Sequence, residues 1–196
     1  MKQQFYLILL RVHRLHIKYN LDFALLDIFY IFIAFGIGFG NATQLVMISA
    51  ISKSRGSVEG AFTSLVSTVL GIALILSFLA LRQGNIALPQ PLDRLTFYLF
   101  LTALCLVGLL TVMKGLNVYF AITGLFALPF LIGAGLIGPK IGVGLYLVIV
   151  LAGQMTGAVV HDHFGTFGNA IHRFDLLRAL GIFALLTGVV LVRGVR

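Results

Sequence analysis

Apolar runs recur along the chain, and each ends in a short polar or basic stretch. Six of them approach or exceed the length of helix that crosses the hydrocarbon core of a bilayer, about 20 residues. They lie near 24–51, 58–81, 96–113, 118–138, 141–160 and 176–192. The third carries no charge and is bracketed by Arg94 and Lys114. The fourth and fifth are separated only by the break at Pro139-Lys140. The loop after the second, "RQGNIALPQPLDR", holds two of the four prolines. Backbone polar groups in lipid find no water, so each run must satisfy them internally and is predicted to be a helix. The pattern predicts an all-α polytopic integral membrane protein with about six transmembrane helices.

Composition sharpens this picture. The chain is 60% hydrophobic with a mean hydropathy of +1.07, whereas soluble domains are about 45–50% apolar. Lipid must therefore be the solvent for much of its surface. The net charge of +8 comes from 14 Lys+Arg against 6 Asp+Glu. In a soluble chain such a balance points to nucleic acid. Here the basic residues fall at the edges of the runs, where anionic lipid attracts them. No basic run with interleaved aromatics suits base stacking, so lipid, not nucleic acid, is the expected partner. Cys105 is the only cysteine. It excludes an internal disulfide and reads as a packed apolar thiol.

Residues 1–20 resemble a signal peptide only weakly, since the apolar run 5–10 is short and no small-residue cleavage site follows it. Lys2, Arg11, Arg14 and Lys18 flank large apolar residues, the pattern of a basic interfacial helix that stays attached to a membrane domain over 21–196. With the N-terminus inside, nine Lys and Arg fall on the inner side and five on the outer. The bias predicts both termini in the cytoplasm. It resides in residues 1–20; without them the count is five against five.

Small residues mark the expected helix contacts. Gly36 and Gly40 are four apart, as are Gly153 and Gly157, a spacing that lets backbones approach closely in a membrane. On the second run Ser57, Gly60, Ser64, Ser67 and Gly71 form one stripe, either a helix–helix seam or a pathway wall. Gln44 and Gln154 sit within apolar runs, where an unpaired amide costs several kcal/mol. They pair with each other across a seam, or they line a cavity for a polar substrate together with Asn41 and Ser64. Asp27 is a proton-coupling candidate if it lies inside the first run, and an interfacial helix-start residue if it does not.

His161-Asp162-His163 stands out in so apolar a chain. A metal centre would need these residues together with His172 or Asp175. Helical residues two apart point to nearly opposite sides, which opposes it. A catalytic pair has only Thr166 nearby and nothing to orient it. The preferred reading is an interfacial turn in which Asp162 and His163 bond to freed backbone groups and Gly165 and Gly168 redirect the chain. No metal, cofactor or enzymatic constellation is expected.

"PKIGVGLYLVIVLAGQ", "HDHFGTFG" and the final "RALGIFALLTGVVLVR" resemble the short YdcZ-type branch of the drug/metabolite transporter (EamA-like) superfamily. The matching positions are Pro139, Gly142, Gly153, Gln154 and Asp162 through Gly165. Gly38, Gln44, Gly56, Ser57, Ala61, Ser64 and Gly71 match more loosely. His161 is outside that pattern. Ala42 and Ile48 replace a proline and an asparagine usual in the family, and 96–113 looks like an added span. The resemblance implies a bacterial inner-membrane transporter of small solutes with a drug/metabolite-transporter-like bundle. Its half-size chain implies a second copy or a related half-size partner. Alternating access is the expected mechanism, and no ATP-binding loop is present. The rival expectation is a non-transporting subunit packed in a larger membrane complex.

Overall fold

Which apolar helices touch is decided by where side chains are small enough to let backbones meet. The computed structural model describes residues 2–84 and 88–194, with side chains from Leu26 onward except Gln83 and Arg193. Its helices are α1 (Lys2–Arg55), α2 (Ser57–Gln83), α3 (Leu95–Val112), α4 (Ala127–Leu136), the short α5 (Gly138–Ile141), α6 (Val143–Phe164) and α7 (Leu176–Gly194). A 3₁₀ segment, Val118–Phe126, leads into α4. Among the described residues, five stretches are long and apolar enough to cross a membrane, and Leu176–Val192 is a shorter apolar helix. The protein is a multi-pass helical membrane bundle. Residues 2–20 are helical and continuous with the first span.

The main seam joins α1 to α6. Phe35 meets Gly153, Phe39 meets Gly157, and Thr43 meets His161. Both numbers advance together by four, so the two helices run parallel, as they must with three crossings between them. A Cβ on Gly153 would collide with the Phe35 carbonyl oxygen, and one on Gly38 with that of Val150. The Cα–H groups of these glycines thus face carbonyls of the opposite helix, a weak hydrogen-bonding geometry common at close helix crossings. Of the glycines expected in this role, Gly153 and Gly157 lie at the seam. Gly36 does not: nothing stands within 4 Å of where its Cβ would be. Gly38, two residues on, takes its place because 200° of helix rotation turns Gly36 away. Gly40 instead meets the Phe126 ring at 3.4 Å.

The stripe on α2 is a seam along most of its length. Gly60 receives Ile48 and Ser52 of α1, and Gly71 receives Leu125 and Leu128. Ser67 Oγ donates to the Ala121 carbonyl at 2.6 Å, and Thr68 Oγ1 shares its one hydrogen between the carbonyls of Gly124 and Ser64, each at 2.9 Å. Hydroxyls of α2 therefore serve the 3₁₀ segment, whose Gly124 lies against the Ser64 carbonyl.

Beneath the α1–α6 seam, Ala34, Ile137, Ile141, Leu145, Tyr146, Ile149 and Val150 form one buried cluster. Met47, Ile51 and Phe120 form another toward the opposite end. The remaining helices are peripheral. α3 packs mainly on α2, and α7 mainly on α6. Arg55, at the end of α1, donates to the carbonyls of Val112 and Lys114 and so caps the C-terminus of α3, where a cation also meets the negative end of the helix dipole.

Candidate functional site

Polar side chains at membrane depth gather around the middle of α1. Gln44 Nε2 donates to Ser64 Oγ at 2.9 Å, and Ser64 is 4% exposed. This bond joins α1 to α2, so Gln44 does not pair with Gln154. Asn41 is three residues before Gln44 and shares its side of α1. Its Oδ1 is buried and has no hydrogen-bond partner among the described residues. Gln154 is half-buried on α6, with no side-chain hydrogen bond among the described residues. Its backbone nitrogen would lie 2.8 Å from a Cβ on Gly38, which places it at the level of Asn41's turn of α1. The structure thus brings Gln44 and Ser64 into contact and leaves Asn41 Oδ1 and the Gln154 side chain without a hydrogen bond among the described residues.

The far end of the same seam carries a second polar set. His161, 9% exposed, is the buried member of the His-Asp-His cluster. Thr43 Oγ1 donates to the Phe39 carbonyl at 3.2 Å. His161 Nε2 lies 2.9 Å from Thr43 Oγ1 and Nδ1 lies 2.9 Å from Thr166 Oγ1, so the ring bridges the two hydroxyls. Phe39 and Phe167 flank the ring. An interfacial turn alone does not describe this residue; it is a buried tie between α1 and the connection to α7.

Asp162, His163 and Gly165 sit where that connection begins. α6 runs to Phe164, four residues beyond the expected end of its span, so the cluster forms the last turn of the helix. Gly165 closes it in the left-handed conformation, φ 58° and ψ 39°. Asp162 Oδ2 pairs with Arg178 at 3.2 Å, with side chains 40% and 32% exposed, and its carbonyl accepts from the His172 N–H at 2.8 Å. His163 Nδ1 accepts from the Phe174 N–H at 3.1 Å. These partners come from the head of α7 and the loop before it rather than from freed groups of α6. Asn169 fastens the loop to α1, donating to the Val46 carbonyl at 2.9 Å and accepting from Ser49 at 3.0 Å. Lys53 Nζ donates to the Gly168 carbonyl at 3.1 Å. Among the described residues, no group of three His, Cys, Asp or Glu is placed to hold a metal ion.

At the opposite end, Asp27 is half-buried near the start of the first span. One turn on, the Tyr30 hydroxyl accepts from Lys140 Nζ at 2.6 Å, and the ammonium lies 4.7 Å from the ring centroid. This exposed contact ties α1 to α5, whereas the network around His161 ties α1 to the end of α6.

Sequence reasoning missed Thr43, Asn169 and the tie through His161. The partners are more than a hundred residues apart in the chain, and no local spacing announces them. Gly38 did carry a signal, being one of the positions that matched the family.

Comparison with curated proteins and with solved structures finds no match. The family described as "Putative inner membrane exporter, YdcZ" matches residues 29–191, from the first turns of the first span to the last turn of α7. The chain belongs to the YdcZ family, in the drug/metabolite transporter superfamily.

Proposed function

We propose that this protein moves a small polar solute across the membrane by alternating access, with Asn41, Gln44, Ser64 and Gln154 as its binding groups. The observation that carries the reading is the buried, unpartnered Asn41 Oδ1. Leaving a buried acceptor unsatisfied costs about 1–3 kcal/mol, and in lipid no water offsets the loss. A solute bearing an N–H or O–H donor would offset it while bound. Gln154 offers a second amide near the same turn, and the Gln44–Ser64 pair a third polar point. The small bundle suits a pathway shared with a second copy or a related half-size chain. The Lys and Arg distribution supports cytoplasmic termini, and Asp27 is the coupling-ion candidate.

The test pairs solute counterflow in vesicles, run over a panel of small polar solutes, with thermal stability in detergent, on Gln154→Leu. The substrate role predicts lost flux with stability equal to or above wild type. An amide outside the binding site predicts intact flux. A non-transporting subunit would show no flux in either form and would instead lose co-purifying partners.

A further inference from the structure

The cleft where the α6–α7 loop crosses α1 has a lining that is charged at the rim and apolar below. Leu45, Ser49 and Lys53 follow one another by four residues along α1 and form one wall. Asn169, Ala170 and His172 of the loop form the other, Asp162 closes the cleft, and the volume is about 280 Å³. Leu45, 53% exposed, lies within the apolar span, whereas Lys53 lies in the last turn of α1. One wall therefore descends from a cation at the water boundary to a side chain at lipid depth.

The charges in the cleft are of both signs and are only partly used. Lys53 spends one of its three hydrogens on the Gly168 carbonyl. Asp162 receives Arg178 on Oδ2, and its side chain remains 40% exposed. The His172 ring has no hydrogen bond among the described residues, although its backbone is held at both N–H and C=O. A purely anionic headgroup would meet the Asp162 carboxylate, and a purely cationic one would meet Lys53. A molecule carrying both charges satisfies each wall.

We propose that this cleft binds a zwitterionic phospholipid whose headgroup carries a phosphate diester and a primary ammonium. The phosphate sits on Lys53 and His172, the ammonium on Asp162, and an acyl chain passes over Leu45. A primary ammonium donates hydrogen bonds to a carboxylate, whereas a quaternary one cannot, so the site discriminates between two lipids of equal net charge. A soluble zwitterion shares the headgroup chemistry, but Leu45 gives it nothing. The inference is independent of transport, since it concerns lipid retention and the cleft is lined by none of Asn41, Gln44, Ser64 and Gln154.

The test is native mass spectrometry of the full chain released from nanodiscs containing equal parts of phosphatidylethanolamine, phosphatidylcholine and phosphatidylglycerol. Wild type should retain one phosphatidylethanolamine per chain in preference to the other two. Lys53→Gln and His172→Ala should each weaken retention roughly tenfold, as expected for one lost charge-assisted hydrogen bond, and Lys53→Arg should restore it. His172→Ala removes no side-chain bond of the fold, so it keeps the test decisive if Lys53→Gln folds poorly. Retention without headgroup preference, preference for phosphatidylglycerol, or retention unchanged in both variants would overturn the assignment. Displacement of the lipid by soluble phosphoethanolamine would also overturn it, by showing that the chain contributes nothing.

Discussion

Replacing Gly153 with alanine puts a methyl group where the Phe35 carbonyl oxygen stands, 2.9 Å from its carbon and 3.1 Å from Phe35 Cα. These are main-chain atoms of α1, so no rotamer change relieves the contact and the helix itself must retreat. Restoring an ordinary separation of 3.4–4 Å from that oxygen requires a shift of about 1.5 Å or more at that level. A gap of only about 0.5–1 Å already forfeits a quarter to a half of each neighbouring dispersion contact. The contacts at risk include Ala34, Tyr146, Ile149 and Val150, all at most 3% exposed. Overpacking of this kind costs about 1–3 kcal/mol, and that is the loss expected for Gly153→Ala. Gly38→Ala should cost a similar amount. The double variant should lose less than the sum, because one retreat accommodates both methyl groups. Gly36→Ala is the control: it meets nothing within 4 Å and should be neutral or gain up to about 1 kcal/mol in helix propensity. Equilibrium unfolding in mild detergent measures all four. A Gly153→Ala protein within about 0.5 kcal/mol of wild type, or indistinguishable from Gly36→Ala, would refute the close α1–α6 seam.

Other expectations follow from single contacts. His161→Ala strands Thr43 and Thr166 and empties a buried site, so the unfolding free energy should drop by about 1–3 kcal/mol; an unchanged melting curve would return His161 to the water interface. Arg55→Met removes the cap on α3, and amide hydrogen exchange over the last turn of Leu95–Val112 should speed up, while that of α6 stays as it was. A reporter fused at the C-terminus should read cytoplasmic in the full chain and mixed after deletion of residues 1–20, since the Lys and Arg bias resides there. A single orientation after the deletion would contradict that account.

The spans were legible because each is a long apolar run, and lipid forces such a run to be helical whatever its neighbours. The seams were legible only in part. Spacing of four marked Gly153 and Gly157, but it equally marked Gly36, because periodicity names a face without saying what the face meets. Gly38 lies two residues away and takes the contact. The α2 stripe left seam and pathway wall open; Ser67 and Thr68 bond to the 3₁₀ segment, whose carbonyls no sequence pattern advertises. The histidine cluster was read from its local polarity, which is adequate for Asp162 and His163. It failed for His161, whose partner Thr43 is 118 residues away. In sequence Asn41 has a setting much like that of the glutamines. Only burial without a partner sets it apart.

The proposal that a polar solute binds beside the α1–α6 seam rests most directly on Asn41. Its substitution by leucine removes an unsatisfied buried amide and keeps roughly the volume. Solute-free protein should then become more stable by about 1–3 kcal/mol, while stabilisation by whichever solute of the panel protects wild type disappears together with its counterflow. An Asn41→Leu protein that is less stable without solute, yet is protected by and transports that solute as wild type does, would contradict the account.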